Sequence, residues 1–153
     1  IYARSKAADK ELKALVKTTG TTLLDLHGIG PSGAARLLPE VGDVTRFPDR
    51  NHFASWNGTA PIPVWSGNST RHRLTRGGNR QINCALHRIA VTQLRGVGRL
   101  GQAYVERRMA AGDTKVEALR ALRRRLSDEV FRRLLADETA NAGVAHEELA
   151  EAA

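Results

Sequence analysis

Ser66 and Gly67 stand in PIPVWSGNSTRHRLTRGGNR, residues 61–80, ahead of Arg71, Arg73, Arg76, Gly77, Gly78, Asn79 and Arg80. A serine hydroxyl attacks a phosphodiester only when a base or metal takes its proton and cations or N–H groups hold the charge gathering on the phosphoryl oxygens. The arginines match the second requirement, and the Gly77-Gly78-Asn79 turn is flexible enough to wrap a polyanionic backbone. Such an attack would leave a phosphoserine ester, which conserves the ester for later rejoining. Nothing local meets the first requirement: no Asp or Glu lies between Asp49 and Glu106, and no His-Asp arrangement surrounds Ser66. On residue types alone the other reading stays open, that Ser66 only forms a Ser-Gly turn.

A second candidate contact lies upstream, in TTLLDLHGIGPSGAARLLPEVGD, residues 21–43. Leu23, Leu24 and Leu26 close a short helix, and His27, Gly28, Ile29 and Gly30 form a tight loop. Pro31 or Ser32 then opens a helix carrying Ala34, Ala35, Leu37, Leu38 and Val41, stopped by Gly42. The pattern predicts a helix-hairpin-helix over residues 20–42. Free N–H groups at the start of its second helix, with the positive end of the dipole, would seat a phosphate without reading a base. A plain packing corner, its glycines kept for steric reasons, is the alternative.

These candidates must be positioned by a mainly α fold. Residues 5–17 are good helix formers with a sparse apolar stripe of Leu12, Leu15 and Val16, as at the end of a coiled coil. A short helix is predicted from Asp49 to Asn57-Gly58, with Phe53 and Trp56 turned to the core. Pro61 and Pro63 force an extended path into an irregular loop that carries Ser66 and the basic run. Ile82, Leu86 and Ile89 mark a helix over residues 81–95, on which Cys84 and His87 are too few for a metal site. After a glycine-rich loop, GVGRLG, a short helix ends at Gly112. Thr114 with Glu117 caps a last helix whose apolar stripe runs Val116, Leu119, Leu122, Leu126, Val130 and Leu134. Arg120, Arg123, Arg124, Arg125, Arg132 and Arg133 make its other side cationic, either a solvated face or one that tracks phosphates. The expected organisation is a linker-helix end over 1–18, a domain over 19–136 with helices over 81–136, and a mobile acidic tail over 137–153.

Composition bounds the partner. The chain has 153 residues, suited to one domain, and only 5% aromatics, so its core is mainly Leu, Val, Ile and Ala. The formal charge is +8, and the last 17 residues hold five acids and no Lys or Arg, which leaves +13 on residues 1–136. A body so basic seeks polyanions, because each cation that meets a phosphate releases condensed counterions. The single cysteine, Cys84, excludes an internal disulfide and fits a reducing cytoplasm. No apolar run approaches the ~20 residues of a membrane span, so no membrane partner is expected. A start at Ile1 rather than Met is expected of a piece of a longer chain.

From about Leu23 to Leu135 the sequence resembles the C-terminal transposase domain of the IS-one-ten family of bacterial insertion sequences, which includes bridge-RNA-guided recombinases. The ordered motifs carry the resemblance: GIGP at 28–31, GDVTRF at 42–47, Ala54, Gly58 and Pro61 in an A-x-x-x-G-x-x-P stretch, Ser66-Gly67, the basic run, RGGN at 76–79 and a helix. The resemblance implies that Ser66 is the catalytic serine of a DNA transposase. It also implies that the metal-binding acids and Mg2+ belong to an RNase-H-like N-terminal domain absent from this chain, contributed by another protomer of a homo-oligomer. DNA and a guide RNA are the implied partners, and the bacterial cytoplasm, at the nucleoid, the implied place. Three features depart from the pattern or compete within it. His27 stands where proline is frequent, Trp65 stands where a small or polar residue is frequent, and Ser69 and Thr70 are rival hydroxyls. A non-catalytic helix-hairpin-helix DNA-binding module and an RNA-binding structural protein are the other readings of the same residues.

Overall fold

A computed structural model of the chain describes residues 2–73, 75, 77–95 and 100–151. Arg76 of the basic run and 96–99 of the glycine-rich loop lie outside the described residues. The described elements are α1 (Tyr2–Thr18), α2 (Pro31–Val41), α3 (Arg50–Asn57), strands β1 (Ile62–Ser66) and β2 (Ser69–Arg73), α4 (Arg80–Arg95), α5 (Leu100–Ala110) and α6 (Lys115–Glu151). The fold is mainly helical, as its composition requires.

Local chemistry explains most boundaries. Pro31 opens α2 where its missing N–H is not needed, and Gly42 ends it. Asp49 caps α3 by accepting from the amides of Asn51 and His52 at 2.7 and 2.9 Å. Gly58 closes α3 in the left-handed region at φ 75°. At the start of α6 the Thr114 amide donates to Glu117 Oε2 at 2.8 Å, while the Glu117 amide donates back to Thr114 Oγ1 at 3.3 Å. This is the reciprocal box expected from the sequence.

Leu23, Leu37, Val41, Phe53, Ile82, Leu86 and Val130 fill the centre, all essentially excluded from water. Helix α4 lies among α2, α5 and α6 and contributes Ile82, Leu86 and Ile89. Phe53 and Trp56 face inward with Phe47 and Phe131, their rings 5.1–5.8 Å apart. Val116 departs from the expected stripe: it is exposed, and Ala118 in the same turn is the residue buried in the core.

The short helix expected ahead of the Gly28 turn is a four-residue 3-10 helix, Thr22–Asp25. Two other expectations are corrected. The segment expected as an irregular loop is an antiparallel hairpin, because Gly67-Asn68 makes a two-residue turn between runs that include Val64, Trp65 and Thr70. The stretch expected as an acidic tail continues α6 as far as Glu151. Its first acid, Asp137, is buried and accepts from Thr21 Oγ1 and the Thr22 amide, both at 2.9 Å, so the helix is pinned there to the turn after α1.

A buried polar knot joins α3, α4 and α6 beneath the entry to the hairpin. Asn57 Nδ2 donates to Ser127 Oγ at 2.8 Å, and Asn57 Oδ1 accepts from Thr59 Oγ1 at 2.6 Å and the Thr59 amide at 3.1 Å. Asn83 Nδ2 donates to the Asn57 carbonyl at 3.0 Å. Asn57→Ala leaves the buried Thr59 hydroxyl without its acceptor and Ser127 Oγ without its donor, while the Thr59 amide keeps its bond to the Ala54 carbonyl at 2.9 Å. The expected loss is about 2–4 kcal/mol of unfolding free energy, read as a lower urea midpoint, with Ser127→Ala costing about 1 kcal/mol.

Candidate nucleic-acid interface

The hairpin sets the site. Its register pairs Ile62 with Arg73, Pro63 with His72, Val64 with Arg71, Trp65 with Thr70 and Ser66 with Ser69. Directly paired residues share a face and successive residues alternate. Ser66, Val64, Arg71 and Arg73 therefore occupy one face of the ribbon, and Trp65, Pro63, Thr70 and His72 the other. Ser66 and Arg71 are diagonal neighbours, roughly 7–8 Å apart, within reach of an arginine side chain. Ser66 is exposed at the end of β1. The turn beside it is bare, for Gly67 has φ 60° and no atom within 4 Å of where a Cβ would stand.

Trp65 is 71% exposed, the most open of the exposed large apolar side chains described. Leaving an indole in water forgoes roughly 1.5–3 kcal/mol of burial.

Gly77, Gly78 and Asn79, expected as a turn that wraps a polyanion, lie against the end of α3. A Cβ on Gly78 would lie 2.7 Å from the Gly58 amide nitrogen and 2.8 Å from the Trp56 carbonyl, and one on Gly58 would lie 2.8 Å from the Gly77 carbonyl. Two backbones cross there with no room for side chains. The Asn79 amide donates to the Trp56 carbonyl at 2.7 Å, Asn79 Oδ1 accepts from the Ile82 amide at 3.0 Å, and Asn79 Nδ2 donates to Glu40 Oε2 at 2.7 Å. Thr75 Oγ1 donates to the Ala60 carbonyl at 3.1 Å. These contacts clamp both ends of the hairpin to the helical body. Arg80 is exposed in the first turn of α4.

Between the hairpin and α6 lies a cleft of about 370 Å³, lined by Arg71, Arg73, Arg108, Arg120, Arg123 and Arg124, with Asp113 and Glu117 as its only carboxylates among the lining residues. Two of the arginines are neutralised internally: Arg108 pairs with Asp113 at 2.6 Å and Arg124 pairs with Asp128. Among the described residues no ion pair engages Arg71, Arg73, Arg120 or Arg123. Arg123 donates to Asn83 Oδ1 at 3.1 Å, while its buried Nε has no protein acceptor. Burial, then repulsion from Arg120, pulls the Arg123 guanidinium below its ordinary pKa, yet an arginine there stays charged. The Thr114 hydroxyl and amide hold the Glu117 carboxyl below its usual value, with Arg71 and Arg120 adding to the effect.

Farther along α6 the cationic side is largely spoken for. Arg125 lies over the Tyr104 ring at 5.2 Å, and Arg132 and Arg133 both bind Glu129 at 2.7 Å. The stripe thus splits into a half near the hairpin, where Arg120 and Arg123 have no ion pair among the described residues, and a half near the other end whose arginines are engaged.

The Gly28–Gly30 turn presents a second cleft, of about 560 Å³, with Lys10 and Lys13 from α1, Arg36 from α2 and Arg88 from α4 around it. Gly28, at φ 96°, serves packing: a Cβ there would lie 3.1 Å from the Ile89 carbonyl, and Gln93 Nε2 holds the turn by donating to the His27 carbonyl at 2.9 Å. Ile29 is buried. Gly30 is open on its Cβ side and accepts no capping side chain, so the start of α2 can be approached.

Sequence reasoning missed Arg108, His72, Lys10, Lys13, Arg36 and Arg88. Each is an ordinary polar or basic residue in the linear sequence, and only the packing of the hairpin and helices brings them to these clefts.

Among the described residues no three of His, Cys, Asp and Glu gather closely enough to hold a metal ion. The cleft carboxylates do not fit Mg2+ either, because Asp113 is engaged by Arg108 and Glu117 by Thr114. Among the described residues no helix is long and apolar enough to cross a membrane.

Residues 20–106, which span the α2 turn, the serine hairpin and α4, match the family described as Transposase IS116/IS110/IS902. The chain is 34% identical over 131 residues to the insertion element IS110 uncharacterized 43.6 kDa protein of Streptomyces coelicolor, covering 83% of this chain and 32% of that one. It is 30% identical over 132 residues to the insertion element IS116 uncharacterized 44.8 kDa protein of Streptomyces clavuligerus, covering 84% and 33%. To a pilin gene-inverting protein of Moraxella bovis it is 32% identical over 106 residues, 68% of this chain and 33% of the relative. The chain spans about a third of the length of these curated relatives. With the family match covering more than half of its residues, the chain belongs to the IS116/IS110/IS902 family of transposases.

Proposed function

We propose that this chain is the DNA-holding, serine-bearing part of a bacterial transposase, and that Ser66 is the nucleophile. One observation carries the reading: the hairpin register puts Ser66 on the ribbon face of Arg71 and Arg73, and the same hairpin borders a cleft with four arginines that have no ion pair among the described residues. A phosphodiester against that face meets a hydroxyl and two exposed cations together. Ser66 Oγ would bond to phosphorus as the bond from phosphorus to one sugar oxygen breaks. The serine proton leaves to a base, and the departing sugar oxygen takes up a proton. Arginines near the hairpin stabilise the charge on the phosphoryl oxygens during this exchange. The serine ester keeps the phosphorus at the diester level, so a second sugar hydroxyl can reverse the step without an external energy source.

Metal chemistry and a proton acceptor are assigned to the N-terminal part of the longer protein and to a homo-oligomeric assembly, with Mg2+ as the metal. Guide RNA and work at the nucleoid in the cytoplasm belong to the same proposal. The Gly30 end of α2 with Lys10, Lys13, Arg36 and Arg88 supplies a second backbone contact, in the manner of a helix-hairpin-helix. Gly77, Gly78 and Asn79 serve by holding the hairpin in place rather than by wrapping DNA, and Arg80 and Arg76 extend the cationic run.

Salt dependence tests the holding role. Affinity of the chain for a DNA duplex falls steeply with added salt, and Arg71→Ala with Arg73→Ala reduces the slope of log K against log salt by about 2, since each phosphate contact contributes about 0.9. Fluorescence anisotropy of a labelled duplex reads this directly. A flat response in the parent chain overturns the proposal.

A further inference from the structure

Trp65 is the feature of the hairpin that phosphate chemistry leaves unexplained. It sits next to Ser66 in β1, on the opposite ribbon face, beside Pro63, Thr70 and His72. Among the described residues no ring or guanidinium covers its indole. Its ribbon neighbours are small or polar, so it is a lone apolar plate in a cationic setting and not part of a patch suited to a protein partner. The other tryptophan, Trp56, is packed against the core.

We propose that Trp65 is a nucleobase-stacking site that takes an unpaired DNA base adjoining the phosphate attacked by Ser66. This rests on the proposed DNA-holding role. The geometry supplies the pairing: Trp65 and Ser66 are consecutive, their Cα atoms about 3.8 Å apart, and their side chains take opposite faces of one ribbon. A strand crossing the bare Gly67-Asn68 tip lays a phosphate toward the Ser66 face and turns the adjoining base over the Trp65 face. Gly67 leaves that crossing open, with no atom within 4 Å of its absent Cβ. Arg71 and Arg73 draw the polyanion in, and the indole face accepts any base, because every base offers a π surface. Stacking holds the base out of the duplex and so exposes the phosphate beside it.

The test uses the 153-residue chain with a short single-stranded DNA. The parent chain loses part of its tryptophan fluorescence on binding, Trp65→Phe abolishes that quenching, and the Trp56 signal stays. Trp65→Ala weakens binding about 5- to 100-fold, as removal of a base-stacking aromatic does, while Trp65→Phe retains most of the affinity. Neither variant changes the salt slope, since no charge is removed. An oligonucleotide of equal charge with abasic positions binds without quenching the indole. If Trp65→Ala binds as tightly as the parent, or abasic DNA quenches equally, the stacking site is overturned while a steep salt slope preserves the DNA-holding role. If the parent binds no DNA at any salt, both fall.

Discussion

Ser66→Ala is expected to bind DNA as the parent protein does and to form no covalent protein–DNA adduct. The variant removes one oxygen from an exposed position at the end of β1. The pairing of β1 with β2 is made by the backbone and no charge is removed, so the salt slope of DNA binding is unchanged. What disappears is the atom that bonds to phosphorus. Thr70 pairs with Trp65 and so faces away from the Ser66 side of the ribbon. Ser69 is the direct cross-strand partner of Ser66 and is therefore the rival to exclude. The measurement is made in the full-length protein with its nucleic acids and Mg2+, as a band resistant to denaturant that carries both protein and labelled DNA. Ser66→Ala eliminates the band and Ser69→Ala retains it. An adduct that persists in Ser66→Ala, or that is lost only in Ser69→Ala, rejects Ser66 as the nucleophile. Ser66→Cys separates chemistry from shape, since a thiol fills the space but its phosphorus ester differs in stability and reactivity.

Legibility in the sequence followed the range of the interaction concerned. Caps were readable because the donor and acceptor lie within four residues: Asp49 at α3, Thr114 with Glu117 at α6, Gly58 at the end of α3. The core faces of α3 and α4 were readable from spacing, since Phe53, Ile82, Leu86 and Ile89 recur at helical intervals and all are buried. The hairpin was obscured by Pro61 and Pro63, which argue against a central strand but are tolerated in a two-stranded ribbon with open edges. Its real signal was the Gly-Asn pair between two five-residue runs. The continuation of α6 was obscured by low apolar content after Leu135. A long-range contact, Asp137 with Thr21 and Thr22, anchors the helix there, and no local pattern announces it. The candidate site divides in the same way. Ser66 and the basic run are contiguous in sequence, whereas Arg108, Arg120 and Arg123 join them only because α5 and α6 fold back beneath the hairpin.

Gly78→Ala is expected to destabilise the chain by about 2–6 kcal/mol, from two contributions that act together. Gly78 has φ 93°, which an L side chain adopts only under strain of roughly 1–3 kcal/mol. The added methyl would also overlap backbone atoms, at 2.7 Å from the Gly58 nitrogen and 2.8 Å from the Trp56 carbonyl. Backbone cannot rotate away as a side chain can, and overpacking of this kind costs roughly another 1–3 kcal/mol. The strain relaxes by lifting the RGGN segment off α3, which breaks the bond from the Asn79 amide to the Trp56 carbonyl and loosens one anchor of the hairpin. Gly67→Ala is the internal control. It carries a positive φ of 60° but meets nothing within 4 Å, so only the backbone strain remains and the loss stays near 1 kcal/mol. Urea unfolding of the two variants separates steric crossing from conformational strain. Hydrogen exchange then locates the damage: Gly78→Ala loses protection at Asn79, Ile82 and Asn83, while Gly67→Ala does not. Equal losses in the two variants would refute the crossing as the reason for glycine at position 78. Loss of DNA affinity in Gly78→Ala at a temperature where the helices remain folded would show that the clamp on α3 is what presents Ser66, Arg71 and Arg73 to the strand.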